Sequence, residues 1–328
     1  MTTALLERKG LIQQYLRETP GLLSSFSFIN IFTWQEFFQF ELEVIDGNLC
    51  VFARHDAGTF LYLPPLGKNV SAKTIQACFE RMDKVNRNKG VSRVENVHAH
   101  QLPLFPAEQF SHYNKGYEYC YYRKDLAALT GNAYKSKRSS YNHFARNYQF
   151  KYLPYEDAML AQCAALYQDW AKNRRRVYAD NAVALQMLEE NAGVHQLALR
   201  HYRELGLTGR VVTIHGREAL PCRPRGSSLQ GTFGLREEPL ACGSKVMAYT
   251  FGYPLNEQTF CVLFEIADLF CSGLGVFIFR EFCRDAALTP YKFINVMDDF
   301  ELNNIQRTKD SYRPVVLFPC YVVSRLKK

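Results

Sequence analysis

The feature that most constrains this chain is a rhythm of short apolar runs and helical periods, each closed by turn chemistry, that runs through twice. Residues 42–45, 50–54 and 59–63 are apolar runs separated by Asp46-Gly47-Asn48 and Asp56-Ala57-Gly58. Such residues supply the left-handed backbone of tight hairpins, so the three runs predict a meander of strands. An amphipathic helix over residues 4–17 precedes the meander, and an aromatic stretch at 32–40 leads into it as helix or short strand. Pro64-Pro65-Leu66-Gly67 ends the meander, and Ser71 reads as the N-cap of a helix reaching residue 88. Strands at 92–96 and 116–122 and helical stretches at 125–129 and 132–148 complete the first cycle. The second cycle reads as a strand at 150–153, helices at 156–175 and 182–191, and strands at 195–199, 210–215, 245–252 and 259–266. A helix at 273–287, a strand at 293–296, a helix at 301–309 and a strand at 315–324 close it. This order predicts an α/β (α+β) fold in which mixed, largely antiparallel sheets are flanked by helices, with one domain over 1–150 and a second over 151–328.

The same pattern excludes several classes. No apolar stretch attains the roughly 18–20 residues that cross a bilayer; the nearest, residues 259–279, is broken by Glu265 and Asp268. Glu7-Arg8-Lys9 introduces charge before any apolar run develops, unlike a secretory signal. The ten cysteines form no Cys-x-x-Cys or Cys-x-x-x-Cys pair, so they read as small reduced hydrophobes in a cytoplasmic protein, with no metal site. His98-x-His100 lacks further ligands, and no Gly-x-Ser-x-Gly elbow points to a hydrolase. Residues 217–244 carry Pro221, Pro224 and Pro239 and read as a flexible insertion. Its Gly226–Gly234 run has no following Gly-Lys-Ser/Thr and so is not a P-loop.

Two places carry chemistry in the residues themselves. Glu265 ends an apolar strand, where partial burial would raise its pKa and suit it to general-base work; pairing with a lysine or arginine, or capping shared with Asp268, is the alternative. Ser272-Gly273-Leu274-Gly275 follows at a helix start, where two glycines permit the close backbone approach that a phosphate needs, though most such turns are only turns. Residues 134–151 hold Lys135, Lys137, Arg138, Arg146 and Lys151 with no acid, interleaved with Tyr134, Tyr141, Phe144 and Tyr148. That pattern fits an anion site or, equally, a core stripe with a solvated basic face. Lys172 and Arg174-Arg175-Arg176 beside Trp170 form a second basic knot in a chain of net charge +8.

Three stretches, taken together, resemble one family. The first runs from Tyr117-Glu118-Tyr119 through Asp125-Leu126, Leu129, Gly131, Tyr134 and Lys137-Arg138 to Asn142 and Phe144. The second holds Gly252, Pro254, Asn256, Thr259-Phe260, Phe264-Glu265 and Ala267-Asp268, and the third Asn295, Asp299, Lys309, Ser311-Tyr312 and Pro314. In this order they are similar to the family of the phosphatidylglycerol lysyltransferase C-terminal domain. Met297, Glu301 and Gln306 depart from its pattern, standing where an acidic residue, a glycine and an arginine are common.

The resemblance implies two tandem GNAT-like domains and direct attack of an amine or hydroxyl on an activated acyl carbon, without a covalent intermediate. It implies acyl-CoA or aminoacyl-tRNA as the donor substrate, with no tightly bound cofactor. The acceptor is a small molecule or a lipid headgroup reached by peripheral membrane contact, without a transmembrane segment. Glu265 then takes the base role and Tyr312 the proton-donor role, with a core tyrosine as the alternative for Tyr312. Asp299 caps the next helix or orients Lys309. Gly273, Gly275, Lys137, Arg138 and Lys309 face the donor. The departures at 297, 301 and 306 leave a second reading, a non-catalytic ligand-binding or regulatory protein that keeps the fold.

Overall fold

The structure, a computed structural model, describes residues 2–19, 21–214 and 244–326. The proposed insertion over 217–244, Ser244 apart, lies outside the described residues. Eleven strands occur among those described. They are β1 (Gln39–Ile45), β2 (Asn48–His55), β3 (Gly58–Leu61), β4 (Arg93–His98), β5 (Phe110–Tyr122) and β6 (Phe150–Pro154). The remainder are β7 (Thr208–Ile214), β8 (Lys245–Pro254), β9 (Thr259–Ala267), β10 (Phe293–Asn295) and β11 (Val316–Arg325). The fold is α/β, with largely antiparallel sheet flanked by helices, as the sequence pattern requires.

Two compact units divide the chain. The first gathers residues 1–121, 254–261 and 295–328. Its strand order is β1-β2-β3-β4-β11-β5, with β3–β4 parallel and the other pairs antiparallel. The meander forms as expected: Asp46 and Gly47 take the left-handed backbone between β1 and β2, and Gly58 opens β3 at φ +138°. Ser71 accepts a hydrogen bond from the amide of Thr74 (3.0 Å) and so starts the helix Ala72–Val85. That helix buries Ile75, Cys78, Phe79 and Met82, one face at helical spacing.

The second unit holds residues 122–253 and 262–294, with strand order β10-β9-β8-β7-β6. Chain content therefore differs from a cut at residue 150: the helix Lys135–Asn147 lies in the second unit, and β11 in the first. The core of the second unit joins Phe144, Val212, Ile214, Met247, Leu274, Phe277 and Ile278. Residues 195–199, expected as a strand, are instead the end of the helix Ala182–Arg200. Ala184, Leu188, Val194, Leu197 and Ala198 are buried along it, a helical spacing that outweighs the short apolar run.

Candidate active site

β9 runs apolar from Thr259 and reaches Phe264 and Glu265, which are half-buried. A left-handed residue, Gly273 (φ +84°), then turns the chain into the helix Leu274–Arg284. A side chain at Gly273 is barred twice: its Cβ would lie 2.2 Å from the carbonyl oxygen of Ser140. The missing side chain thus lets this helix start lie against the helix Lys135–Asn147. Gly275 stands one residue inside the helix, and a Cβ there would meet Oε1 of Glu265 at 3.5 Å. The carboxylate therefore faces the first turn of the helix. Among the described residues the amides of Gly275 and Val276 meet no carbonyl, as first-turn amides do. Gly275, Val276 and Glu265 are all half-buried, so this corner is not sealed.

Electrostatics single Glu265 out. Removal from water pushes its carboxyl up to about 8, and the charge of Lys137 only partly offsets this. Lys137 comes from the helix Lys135–Asn147, and burial in turn lowers its pKa. The second unit thus brings together Glu265, Lys137, Gly273 and Gly275. Arg138 is turned elsewhere: its guanidinium donates to the carbonyls of Leu129 and Gly131. The aromatic stripe of that helix is core: Tyr141 stacks on Phe277 (5.2 Å) and Phe144 is fully buried.

Tyr312, Asp299 and Lys309 belong to the first unit. Lys309 Nζ donates to the carbonyls of Val296 (2.7 Å), Met297 (3.1 Å) and Asp298. An ammonium has three donors, and all three are used. Burial lowers the Lys309 pKa to about 8, against the pull of Asp298, Asp299 and Glu118. Asp299 accepts from the Tyr119 hydroxyl (2.6 Å) and from the amide of Glu301 (3.0 Å). It shapes the turn before the helix Asn303–Asp310, whose N-cap residue is Leu302. Tyr312 is buried.

One buried carboxylate escaped the reading from sequence. Glu118 on β5 accepts from the Ser24 amide (2.8 Å), the Ser24 hydroxyl (2.7 Å) and Asn295 Nδ2 (2.7 Å). Desolvation raises its pKa despite those bonds. The available signal was position: Glu118 is a lone acid among Tyr117, Tyr119, Tyr121 and Tyr122.

The chain matches the family described as phosphatidylglycerol lysyltransferase, C-terminal, over residues 21–324. No curated protein sequence matches it. A conserved protein of unknown function from Bacteroides thetaiotaomicron VPI-5482 shares the fold, with a TM-score of 0.77 at 23% identity over 98% of this chain and 97% of that one. L-PGS from Bacillus licheniformis is similar at TM-score 0.61 and 14% identity, over 97% and 92% of the two chains. The C-terminal domain of a putative lysylphosphatidylglycerol synthetase from Agrobacterium fabrum follows at 0.59 and 8%, over 100% and 93%. Identities this low speak for a common fold.

Proposed function

This chain belongs to the phosphatidylglycerol lysyltransferase C-terminal family, and from that membership we propose that it transfers an aminoacyl or acyl group from aminoacyl-tRNA or acyl-CoA to an amine or hydroxyl acceptor, a lipid headgroup included. The protein is acyltransferase-like; the donor, the acceptor and the residue roles are the proposal. In the step itself the acceptor nitrogen or oxygen bonds to the acyl carbon and gives its proton to the Glu265 carboxylate. The carrier leaves with the electron pair of the broken bond. The first-turn amides of Gly275 and Val276, at the positive end of an 11-residue helix, receive a donor phosphate. Lys137 holds negative charge beside them.

The observation that carries this reading is the Glu265 carboxyl, half-buried against Gly275 with its pKa raised to about 8. A base in this range is matched to proton transfer near neutral pH. Because the carboxyl must be ionised to accept a proton, the rate should rise with pH and level off above about 8. The test offers both donors, with anionic phospholipid vesicles and small amines as acceptors. Turnover with one donor, a rate that climbs to that plateau, and a loss of about 100-fold or more in Glu265→Gln support the proposal. A Glu265→Gln protein with the wild-type rate and pH profile overturns the base assignment. Turnover with neither donor leaves a binding module on the same fold.

A further inference from the structure

A concave site lies in the second unit, apart from the residues given roles above. Its cavity of about 450 Å³ is lined by Tyr122, Arg123, Lys124, Thr289, Tyr291 and Lys292, with Pro290 at the turn. That volume lies within the roughly 300–1,000 Å³ range of small-molecule sites. The walls are built rather than incidental. Arg123 donates to the carbonyls of Tyr291 (3.1 Å) and Cys283 (3.1 Å), and its amide donates to the carbonyl of Lys292 (3.0 Å). These bonds fasten the end of β5 to the turn before β10, leaving the Arg123 guanidinium a structural part.

The charges that remain are the informative ones. Lys124 and Lys292 are exposed, and among the described residues the ammonium of neither makes a hydrogen bond or an ion pair. Both ammoniums lie over the ring of Tyr122, at 5.6 and 5.9 Å from its centroid, and that of Lys292 also lies over Phe293 at 5.0 Å. The two rings stack on each other, 5.4 Å apart at 24°. Among the described residues no carboxylate lines the cavity. Two ammoniums without a counter-ion call for an anion of more than one negative charge, and phosphate is the common one. Tyr122 and Tyr291, both half-buried, line the cavity beside them and supply ring surface, on which a nucleobase stacks.

We propose that the cleft formed by Tyr122, Lys124, Tyr291 and Lys292 binds a nucleotide, its phosphate held between the two lysines and its base laid against the tyrosine rings. Free nucleotides and the end of a single-stranded nucleic acid share this chemistry. Lysines alone would take any phosphate, whereas the rings restrict the ligand to one with a planar base.

The test is equilibrium binding to the full chain, with AMP, adenosine, inorganic phosphate and a short single-stranded oligoribonucleotide as probes. AMP is expected to bind at least about tenfold more tightly than adenosine or inorganic phosphate. Lys124→Gln combined with Lys292→Gln should weaken AMP by about tenfold while leaving the melting temperature unchanged, since both side chains are exposed. An oligoribonucleotide that binds more tightly than AMP, with steeper salt dependence, identifies the nucleic acid as the source; equal binding identifies the free nucleotide. The proposal is overturned by no saturable binding of either nucleotide probe, or by AMP binding that the paired substitution does not change. Inorganic phosphate binding as tightly as AMP overturns it too. Binding is read without any transfer step, so a failure here and a failure of the proposed acyl transfer are told apart.

Discussion

A single methyl group probes the start of the helix Leu274–Arg284 in two places, with opposite outcomes expected. Gly273 has φ +84°, and a Cβ there would stand 2.2 Å from the Ser140 carbonyl oxygen and 3.0 Å from its carbon. Both atoms are backbone and cannot swing aside. Gly273→Ala should therefore destabilise the protein by about 1–3 kcal/mol, read as a lower midpoint in urea. At Gly275 the same methyl would touch Glu265 Oε1 at 3.5 Å and Ala267 Cβ at 3.9 Å, ordinary contact distances. Within a helix, alanine is favoured over glycine by up to about 1 kcal/mol. Gly275→Ala should then keep or raise the midpoint, yet slow transfer, because the new methyl fills the space that the carboxylate faces. A variant that folds normally and also transfers normally would dissociate Gly275 from the reaction. The pair of substitutions separates the turn, which needs a left-handed residue, from the approach, which needs room.

The turn between β10 and the helix Asn303–Asp310 is an element held under strain. Met297, Phe300 and Glu301 all take left-handed backbone, at φ 60°, 53° and 57°. Lys309 fastens it by three carbonyls, and Asp299 accepts from the Glu301 amide. Glu301 stands where the family resemblance expects glycine, so the backbone there has the glycine conformation without the glycine. Glu301→Gly retains the amide that bonds Asp299, and its relief of strain offsets the added freedom of the unfolded chain. The urea midpoint should stay level or rise by the equivalent of up to about 1 kcal/mol; a clear loss would show that the Glu301 side chain itself holds the turn. The sequence displayed elements like this unevenly. Ser71 and the Asp-Gly turns are local chemistry, and they folded as read. Residues 111–115 are exposed and show no apolar alternation, so the first half of β5 was invisible; its register with β11 creates it, from Val316↔Cys120 to Arg325↔Phe110. Glu265, Gly273 and Gly275 were legible because they lie close along the chain. The approach of Lys137 to them, and the three carbonyls around Lys309, depend on segments brought together from afar, which no local pattern encodes.

At the scale of the whole chain, the first unit is not a continuous stretch of sequence. Its residues come from 1–121, 254–261 and 295–328. β11, from the far end of the chain, lies between β4 and β5 and pairs with both. The pairing places Cys320 opposite His98 on one side and opposite Gly116 on the other. It also adds Val322 and Val323, which are fully buried, to the core. A fragment ending at residue 150 would leave facing edges of β4 and β5 without their partner, and an open row of amides and carbonyls there has no replacement. Loss of the buried valines would add the cost of an unfilled core. Residues 1–150 alone should therefore show no cooperative thermal transition, whereas co-expression with 295–328 should recover one. Long-range pairing of this kind also closes a loop through most of the chain, which makes the unit slow to form and dependent on complete synthesis. Cooperative unfolding of 1–150 by itself would mean that the sheet tolerates the gap, and that the C-terminal strand is an addition to a core already complete.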